Sequence, residues 1–145
     1  MKGVGINNIQ GVQELIANGI DVNECLEDQL TALHLAAGNG YNEIMKLLIY
    51  NGAQIDVKDK NGCLPIHYAA LLNRIESVKL LIENGTNIHE VSTKGTPLEL
   101  AVLRSNTETI RLLIEHKADV NKAIFVIFAK NDIKVWNVFL RLECM

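Results

Sequence analysis

Apolar residues in this chain recur with the three- and four-residue spacing of amphipathic helices, and short Gly- and Asn-rich segments interrupt the pattern. One set of predicted helices is short and rich in alanine, near residues 32–38, 65–72, 97–104 and 122–129. A second set carries Leu and Ile on one face, near residues 8–17, 42–50, 75–83, 107–115 and 132–142. The two sets alternate along the chain. The pattern therefore predicts an all-α protein built from pairs of helices.

The same segments recur at a fixed interval. Gly19, Gly52 and Gly85 are separated by 33 residues each, in similar Leu-Ile-x-x-Gly contexts. A fourth copy, Leu113–Val120, follows after 32 residues because the preceding loop is one residue shorter. Two further blocks recur in phase, one at 31–37, 64–70 and 96–102, the other at 42–48, 75–81 and 107–113. Several blocks that share one period indicate a stack of repeats, each covering the apolar face of its neighbour.

These blocks resemble the ankyrin repeat. The period of 33 residues is that of the ankyrin family, and the segment Thr96–Ala101 (Thr-Pro-Leu-Glu-Leu-Ala) is similar to its Thr-Pro-Leu-His-x-Ala block. The resemblance covers nearly the whole chain and implies an all-α solenoid of helix-turn-helix units joined by hairpin-like fingertip loops, one of them at Asp59–Gly62. It divides residues 1–145, taken as one domain, into a partial repeat 1–25, full repeats 26–58, 59–90 and 91–121, and a C-terminal capping repeat 122–145.

Particular residues explain where the helices begin and end. Thr96 can cap a helix through its hydroxyl, and Pro97 suits the first helical position, where no amide partner is needed. Leu64 stands at the place of Thr in the middle copy, so that helix start is expected to be weaker. The three recurring glycines are expected to end the second helix of each pair with positive φ, and Lys117 takes their place in the fourth copy.

The last predicted helix pair is unusually apolar. Intrinsic propensity alone assigns Ile124–Phe128 to a strand, but packing against the neighbouring repeat favours a helix. A capping repeat normally turns a polar face outward, whereas this one carries Phe125, Phe128, Trp136 and Phe139. We expect these side chains to form a compact terminal core; the alternative is a docking or self-association patch.

Composition excludes several classes of protein. The net charge is −3, and Lys and Arg are scattered, so no basic stripe for nucleic acid is present. The longest apolar run, Ala123–Ala129, has seven residues and is too short to span a membrane. Cys25, Cys63 and Cys144 are odd in number and widely spaced, which favours a reducing, cytoplasmic location, in a host cell if the protein is an effector. We expect Cys25 and Cys63 to be exposed thiols, and the protein to be a monomer.

The sequence predicts neither an enzyme nor a cofactor or metal site. His34 and His67 lie one repeat apart, about 8–10 Å for packed helices, which is too far to share an ion; the resemblance implies that they bond local hydroxyl and backbone groups. No nucleophile with a base, and no phosphate-binding glycine loop, can be identified. Asn23 and Asn121 are similar to asparagines hydroxylated in some animal ankyrin repeats; the alternative is that such an Asn bonds the following loop.

The resemblance implies that a partner contacts the fingertips and the inner helices, which form a concave face. The fingertip candidates are Cys25, Glu27, Asp28, Leu30, Lys58, Lys60, Asn61, Cys63, Ser92 and Thr93. The inner-helix candidates are Asn39, Leu71, Leu72, Leu103 and Arg104. Apolar anchors beside an Arg and within a polar rim are typical of binding hot spots. The alternative is that the leucines only fill gaps between helices.

The function predicted is therefore that of a protein–protein interaction module, which binds a folded protein through the concave face as an adaptor, an inhibitor or a host-directed effector. Two alternatives remain. The chain is the targeting segment of a larger enzyme whose catalytic domain is absent, or a structural stack that self-assembles through Phe125, Phe128 and Trp136.

Overall fold

The computed structural model describes residues 8–143, with side chains through residue 141. The helices in this range are α1 (Ile9–Ala17), α2 (Ala32–Asn39), α3 (Asn42–Tyr50), α4 (Pro65–Leu71), α5 (Ile75–Glu83), α6 (Pro97–Leu103), α7 (Thr107–Glu115), α8 (Ile124–Lys130) and α9 (Ile133–Glu143). Short 3-10 turns lie at Glu27–Gln29 and Val120–Lys122. The predicted all-α class is confirmed, and each helix begins and ends within two residues of its predicted bounds.

The helices form two layers. The inner helices α2, α4, α6 and α8 pack side by side, and the outer helices α1, α3, α5, α7 and α9 pack along one another in the second layer. Ala36, Ala69 and Ala101 are fully buried on successive inner helices, and such small side chains allow close approach. One apolar core runs through the stack from Val12 to Phe139. Each repeat therefore obtains its interior from its neighbours.

The helix ends follow the predicted turn chemistry. Gly19, Gly52 and Gly85 have φ values of +86°, +92° and +85°. Lys117 holds the same left-handed conformation at φ +71° in the fourth copy. A side chain with a Cβ pays a steric cost there that glycine avoids. The prediction of positive φ at these positions is confirmed.

The starts of the inner helices differ in how they are capped. The hydroxyl of Thr31 accepts from the amide of His34, and Nδ1 of His34 accepts from the amide of Thr31. Thr96 and Glu99 form the same reciprocal pair. At α4 only one of the two reciprocal bonds exists. The backbone amide of Leu64 donates to Nδ1 of His67, but the leucine side chain has no oxygen to accept from the amide of His67. This helix therefore starts without a hydroxyl cap, and its weaker start stays a prediction.

The last two helices form as predicted, but their aromatic side chains are not all buried in a terminal core. Ile124–Phe128 lies within α8, so the helical expectation is confirmed. Phe139 is buried and Trp136 is half-buried, as a terminal core requires. Phe125 and Phe128 are exposed, so the expectation is wrong for these two side chains. The physical reason is that no further described helix packs on the outer side of α8.

Candidate partner-binding surface

Asp59 organises the middle fingertip. Its side chain is buried, and Oδ1 accepts hydrogen bonds of 2.9 Å from the amides of Asn61 and Cys63. The hydroxyl of Tyr68 donates to Oδ2. Burial by itself would raise the pKa of Asp59, but the hydrogen bonds from Tyr68 and the two amides lower that pKa below its ordinary value. A charged carboxylate therefore fixes the shape of this loop at neutral pH.

Successive fingertips are joined by backbone hydrogen bonds. The amide of Lys60 donates to the carbonyl of Asp28 at 2.8 Å, and the amide of Thr93 donates to the carbonyl of Asn61 at 2.9 Å. The second bond is equivalent to the first, one repeat further along the chain. The three loops are thus held in a row, which lowers the entropy cost of presenting them to a partner.

Two buried histidines connect each inner helix to the loop of the next repeat. Nε2 of His34 lies 2.9 Å from the carbonyl of Cys63, and Nε2 of His67 lies 3.0 Å from that of Glu90. Because Nδ1 of each ring accepts from a backbone amide, Nε2 carries the proton and donates. Burial lowers the pKa of both imidazoles, which favours this neutral form. The predicted structural role of these histidines is confirmed.

Asn23 performs a similar task at the other end of the loop. Its side-chain nitrogen donates to the carbonyl of Gly52 at 3.0 Å, and its oxygen accepts from the amide of Gln54 at 2.8 Å. Asp56 takes this role one repeat later, bonding the hydroxyl of Thr86. The interpretation that Asn23 bonds the following loop is confirmed. The backbone amide of Asn121 donates to the side chain of Asp119.

The predicted apolar centre lies on the exposed side of the inner helices. Leu72 is 42% exposed and Leu103 is 50% exposed, while Leu71 is half-buried. Leu71 and Leu103 occupy equivalent positions on α4 and α6, which pack directly against each other. Arg104 follows Leu103 and is exposed. Both Leu72 and Leu103 therefore keep surface accessible to a partner, although Cδ1 of Leu72 also lies beside Gly38 of the neighbouring inner helix.

Charged side chains lie on the fingertips. Lys60 lies 3.7 Å from Asp28, and Lys58 lies 2.5 Å from Glu90. Glu27 is exposed beside Asp28 in the 3-10 turn of the first fingertip. Exposed pairs of this kind contribute only about 0–1 kcal/mol to stability. They are therefore available to exchange partners when another protein binds.

Three of the remaining candidates either form a hydrogen bond within the protein or are partly buried. Asn39 is exposed, but its side-chain nitrogen donates to the carbonyl of Leu35 at 2.8 Å. Leu30 and Asn61 are half-buried at the bases of their fingertips. Each still has surface available to a partner.

Two fingertip candidates are wrong. Cys63 is only 1% exposed, because its amide and carbonyl are bonded to Asp59 and His34 at the base of the loop. Burial raises the pKa of its thiol, and the side chain can neither touch a partner nor react readily. Ser92 is also buried, and its hydroxyl donates to the carbonyl of Gly95 at 2.8 Å. Cys25 is exposed as predicted, and Cys144 lies outside the described residues.

Sequence reasoning missed the pair formed by Asp59 and Tyr68. The signal lay in the repeat alignment, where Asp59 corresponds to Leu26 in the first fingertip and to Ser92 in the third. Leu35 and Leu100 stand at the place of Tyr68. Only the middle repeat combines a carboxylate with a hydroxyl that can reach it.

Two other kinds of feature are absent from the described part of the chain. Within residues 8–143, no group of three or more His, Cys, Asp or Glu side chains is arranged to hold a metal ion. None of the helices described between these residues has the length and apolar character needed to cross a bilayer.

Comparisons with known proteins point to one family. A model for ankyrin repeats (3 copies) matches residues 1–92, and a model for a single ankyrin repeat matches residues 95–123. Among curated relatives, a putative ankyrin repeat protein of Rickettsia bellii is 34% identical, over 44% of this chain and 37% of the relative. Serine/threonine-protein kinase 12 of Arabidopsis thaliana is 43% identical, over 40% of this chain and 13% of the kinase.

A third relative, protein phosphatase 1 regulatory subunit 12A of Homo sapiens, is 51% identical over 24% of this chain and 3% of its own length. The chain thus spans well under half the length of each of these relatives. The matches to the kinase and to the regulatory subunit are similarities of repeat regions. Ankyrin repeats are generally protein–protein interaction modules and are typically non-catalytic. With its repeat period, its stacked helix pairs and these matches, the chain belongs to the ankyrin repeat family.

Proposed function

We propose that this protein binds a folded partner protein through the concave face, with Leu72, Leu103 and Arg104 at the centre and the fingertips as the rim. The observation that carries the proposal is the exposure of Leu72, directly after α4, and of Leu103, at the end of α6, because most apolar residues of these two helices are buried. A few residues near the centre supply most of the binding energy in typical interfaces, and Arg is enriched among them. The paired fingertips add charged groups in fixed positions.

The proposed role is that of an adaptor, an inhibitor or a host-directed effector, acting in the cytoplasm. The alternative, a targeting segment of a larger enzyme, draws support from the kinase relative, of which this chain matches only 13%. In both cases the surface is the same and the partner is a protein. The two roles differ in the consequence of binding: a targeting segment brings the partner to a catalytic domain, whereas an inhibitor blocks the partner's other contacts.

The test is capture from a lysate of the native cell with the tagged full chain, followed by mass spectrometry and by titration of the purified partner. The variant Leu72→Ser/Leu103→Ser removes the apolar centre. Tyr50→Ser is the matched control, because Tyr50 is 88% exposed but lies at the end of the outer helix α3. We expect the double variant to bind at least about tenfold more weakly, and the control to bind as the parent does.

Equal binding by the parent and the Leu72/Leu103 variant would contradict the proposal. Loss of binding in the Tyr50 variant alone would move the site to the outer helices. Thermal unfolding of each variant must accompany the titration, because a misfolded chain also fails to bind.

A further inference from the structure

One loop position decides whether a fingertip has a side-chain acceptor of its own. The first, middle and third fingertips are residues 26–30, 59–63 and 92–95, and this position is Leu26, Asp59 and Ser92 in turn. Asp59 accepts from two amides of its loop, and the hydroxyl of Ser92 accepts from the amide of Lys94 at 3.1 Å. A leucine side chain has no atom that can accept such a bond. The turn of the first fingertip therefore lacks the internal support that the other two have.

The first fingertip is also strained. Asp28 and Gln29 are consecutive and have φ values of +61° and +63°. A residue with a Cβ pays a steric cost in this left-handed conformation. The other two fingertips have glycine at the place of Gln29, namely Gly62 and Gly95. Strain of this kind persists only where the surrounding structure holds the backbone in place.

The middle fingertip supplies that support. The amide of Lys60 donates to the carbonyl of Asp28 at 2.8 Å, and Nζ of Lys60 lies 3.7 Å from the carboxylate of Asp28. The ion pair is exposed and contributes little, whereas the backbone bond requires the amide of Lys60 to point at Asp28. Lys60 follows Asp59 directly and lies within the turn that Asp59 closes by bonding Asn61 and Cys63. Asp59 therefore sets the direction of that amide.

Tyr68 on α4 holds Asp59 from the side of the inner helices. Its hydroxyl donates to Oδ2, while the two loop amides donate to Oδ1. The ring of Tyr68 contacts the ring of His34 on α2 edge to face, with centroids 5.7 Å apart. Asp59 is only 4% exposed, so water cannot readily replace a hydrogen bond that its carboxylate loses. The hydroxyl of Tyr68 thus links the inner helices to the turn that presents Lys60.

We propose that Tyr68 is a positioning residue for the first fingertip. Through Asp59 and the amide of Lys60, its hydroxyl holds the strained turn of a loop that it does not touch. The third fingertip does not depend on these contacts, because Ser92 closes its turn. An effect on partner binding rests on the proposed function, whereas the effect on the loop can be measured without a partner. The first fingertip carries three of the predicted partner-binding residues, Glu27, Asp28 and Leu30.

Amide hydrogen exchange of the intact chain, measured for each residue by NMR, tests the proposal. Tyr68→Phe removes only the hydroxyl. The amides of Leu26 and Leu30 close the first fingertip, and we expect them to exchange about tenfold faster than in the parent, since a hydrogen bond to a charged group is lost. The amides of Lys94 and Gly95 in the third fingertip should change by less than about twofold.

A second readout shows whether the bond to the carboxylate is lost. The hydrogen bond from Tyr68 lowers the pKa of Asp59, so Tyr68→Phe should raise that pKa, which the carboxyl carbon chemical shift measures. Tyr50→Phe is the matched control, because it removes the same atom from a side chain that is 88% exposed at the end of α3. It should alter neither this pKa nor the exchange rates.

Two further variants sharpen the test. Asp59→Asn removes the charge with little change in size and should also speed exchange in the first fingertip. Gln29→Gly gives that fingertip the glycine of the other two, so in this background Tyr68→Phe should speed exchange of its amides by about twofold or less. Circular dichroism and the thermal midpoint of each variant confirm that it is folded.

Four outcomes overturn the proposal. In Tyr68→Phe, they are an unchanged pKa of Asp59, unchanged exchange in the first fingertip despite a raised pKa, and equal acceleration in the first and third fingertips. The fourth is an undiminished effect of Tyr68→Phe in the Gln29→Gly background, because strain would then not be what the hydroxyl opposes.

Discussion

The buried contacts between repeats and the exposed side of the inner helices follow opposite rules. At one register position on the inner helices the residues are Ala36, Ala69 and Ala101, all fully buried. Three residues further along, the exposed residues are Asn39 in one repeat, Leu72 in the next and Arg104 in the third, with Leu103 exposed beside Arg104. Recurring residues hold the stack together, whereas the residues that change from repeat to repeat are those that we propose to contact a partner. Stability and binding should therefore respond to different substitutions.

The largest expected effect is in the recurring core. Leu81→Ala on α5 removes a fully buried side chain and leaves a cavity, so the free energy of unfolding should fall by about 2–5 kcal/mol. Leu103→Ala truncates the same residue type on the exposed side and should change it by about 0.5 kcal/mol or less. Urea unfolding followed by circular dichroism measures both. Similar losses for the two variants would remove the distinction between core and surface.

A smaller effect concerns the pH dependence of the buried histidines. The pKa values of His34 and His67 are lowered in the folded protein, from an ordinary value of 6.5 that applies to the unfolded chain. Below pH 6.5 the unfolded chain therefore binds more protons than the folded protein does. Stability should therefore decrease on acidification through this range, by about 1.4 kcal/mol for each unit by which a pKa is lowered. Urea midpoints at about pH 7.5 and pH 5 measure the decrease.

The double variant His34→Gln/His67→Gln tests this assignment. It should be less stable at neutral pH and should lose the part of the pH dependence that the two buried imidazoles cause. If the variant keeps the full dependence of the parent, the effect comes from carboxylates instead. Replacing His89 and His116 provides the matched control.

Lys117 tests a departure from the recurring pattern. Lys117→Gly should raise the free energy of unfolding by about 0.5–1 kcal/mol, because glycine adopts the left-handed conformation without the steric cost of a Cβ. Lys46→Gly, within the outer helix α3, should instead lower it by about 1 kcal/mol. Thermal and urea unfolding of both variants give the two signs. A loss in the Lys117 variant would mean that the side chain contributes more than its strain costs.

The variant with the largest expected change in binding should show only a small change in stability. Leu72→Ser/Leu103→Ser should alter the free energy of unfolding by about 1 kcal/mol or less, since both side chains are exposed. The measurement is the urea midpoint beside the partner titration. A loss of several kcal/mol would show that the leucines stabilise the repeats and would remove the basis of the proposed binding centre.

The sequence predicts the helices well for a simple reason. The period fixes which apolar positions face one another, and the glycines and threonines mark the helix ends. Even α8 is helical against the strand propensity of Ile124–Phe128, because its neighbour imposes the conformation. The exposure of single loop residues was less predictable. Cys63 and Ser92 turn inward because of hydrogen bonds with His34 and Gly95, and such bonds depend on the fold of the loops rather than on local pattern.

The backbone bonds between fingertips have a consequence for how such a protein can grow. The middle loop donates to the loop before it, through Lys60 to Asp28, and accepts from the loop after it, through Thr93 to Asn61. A duplicated middle unit would find a matching acceptor on one side and a matching donor on the other. Lengthening by whole units therefore leaves no boundary with unmatched groups, so evolution or an engineer can widen the recognition face without redesigning either terminus.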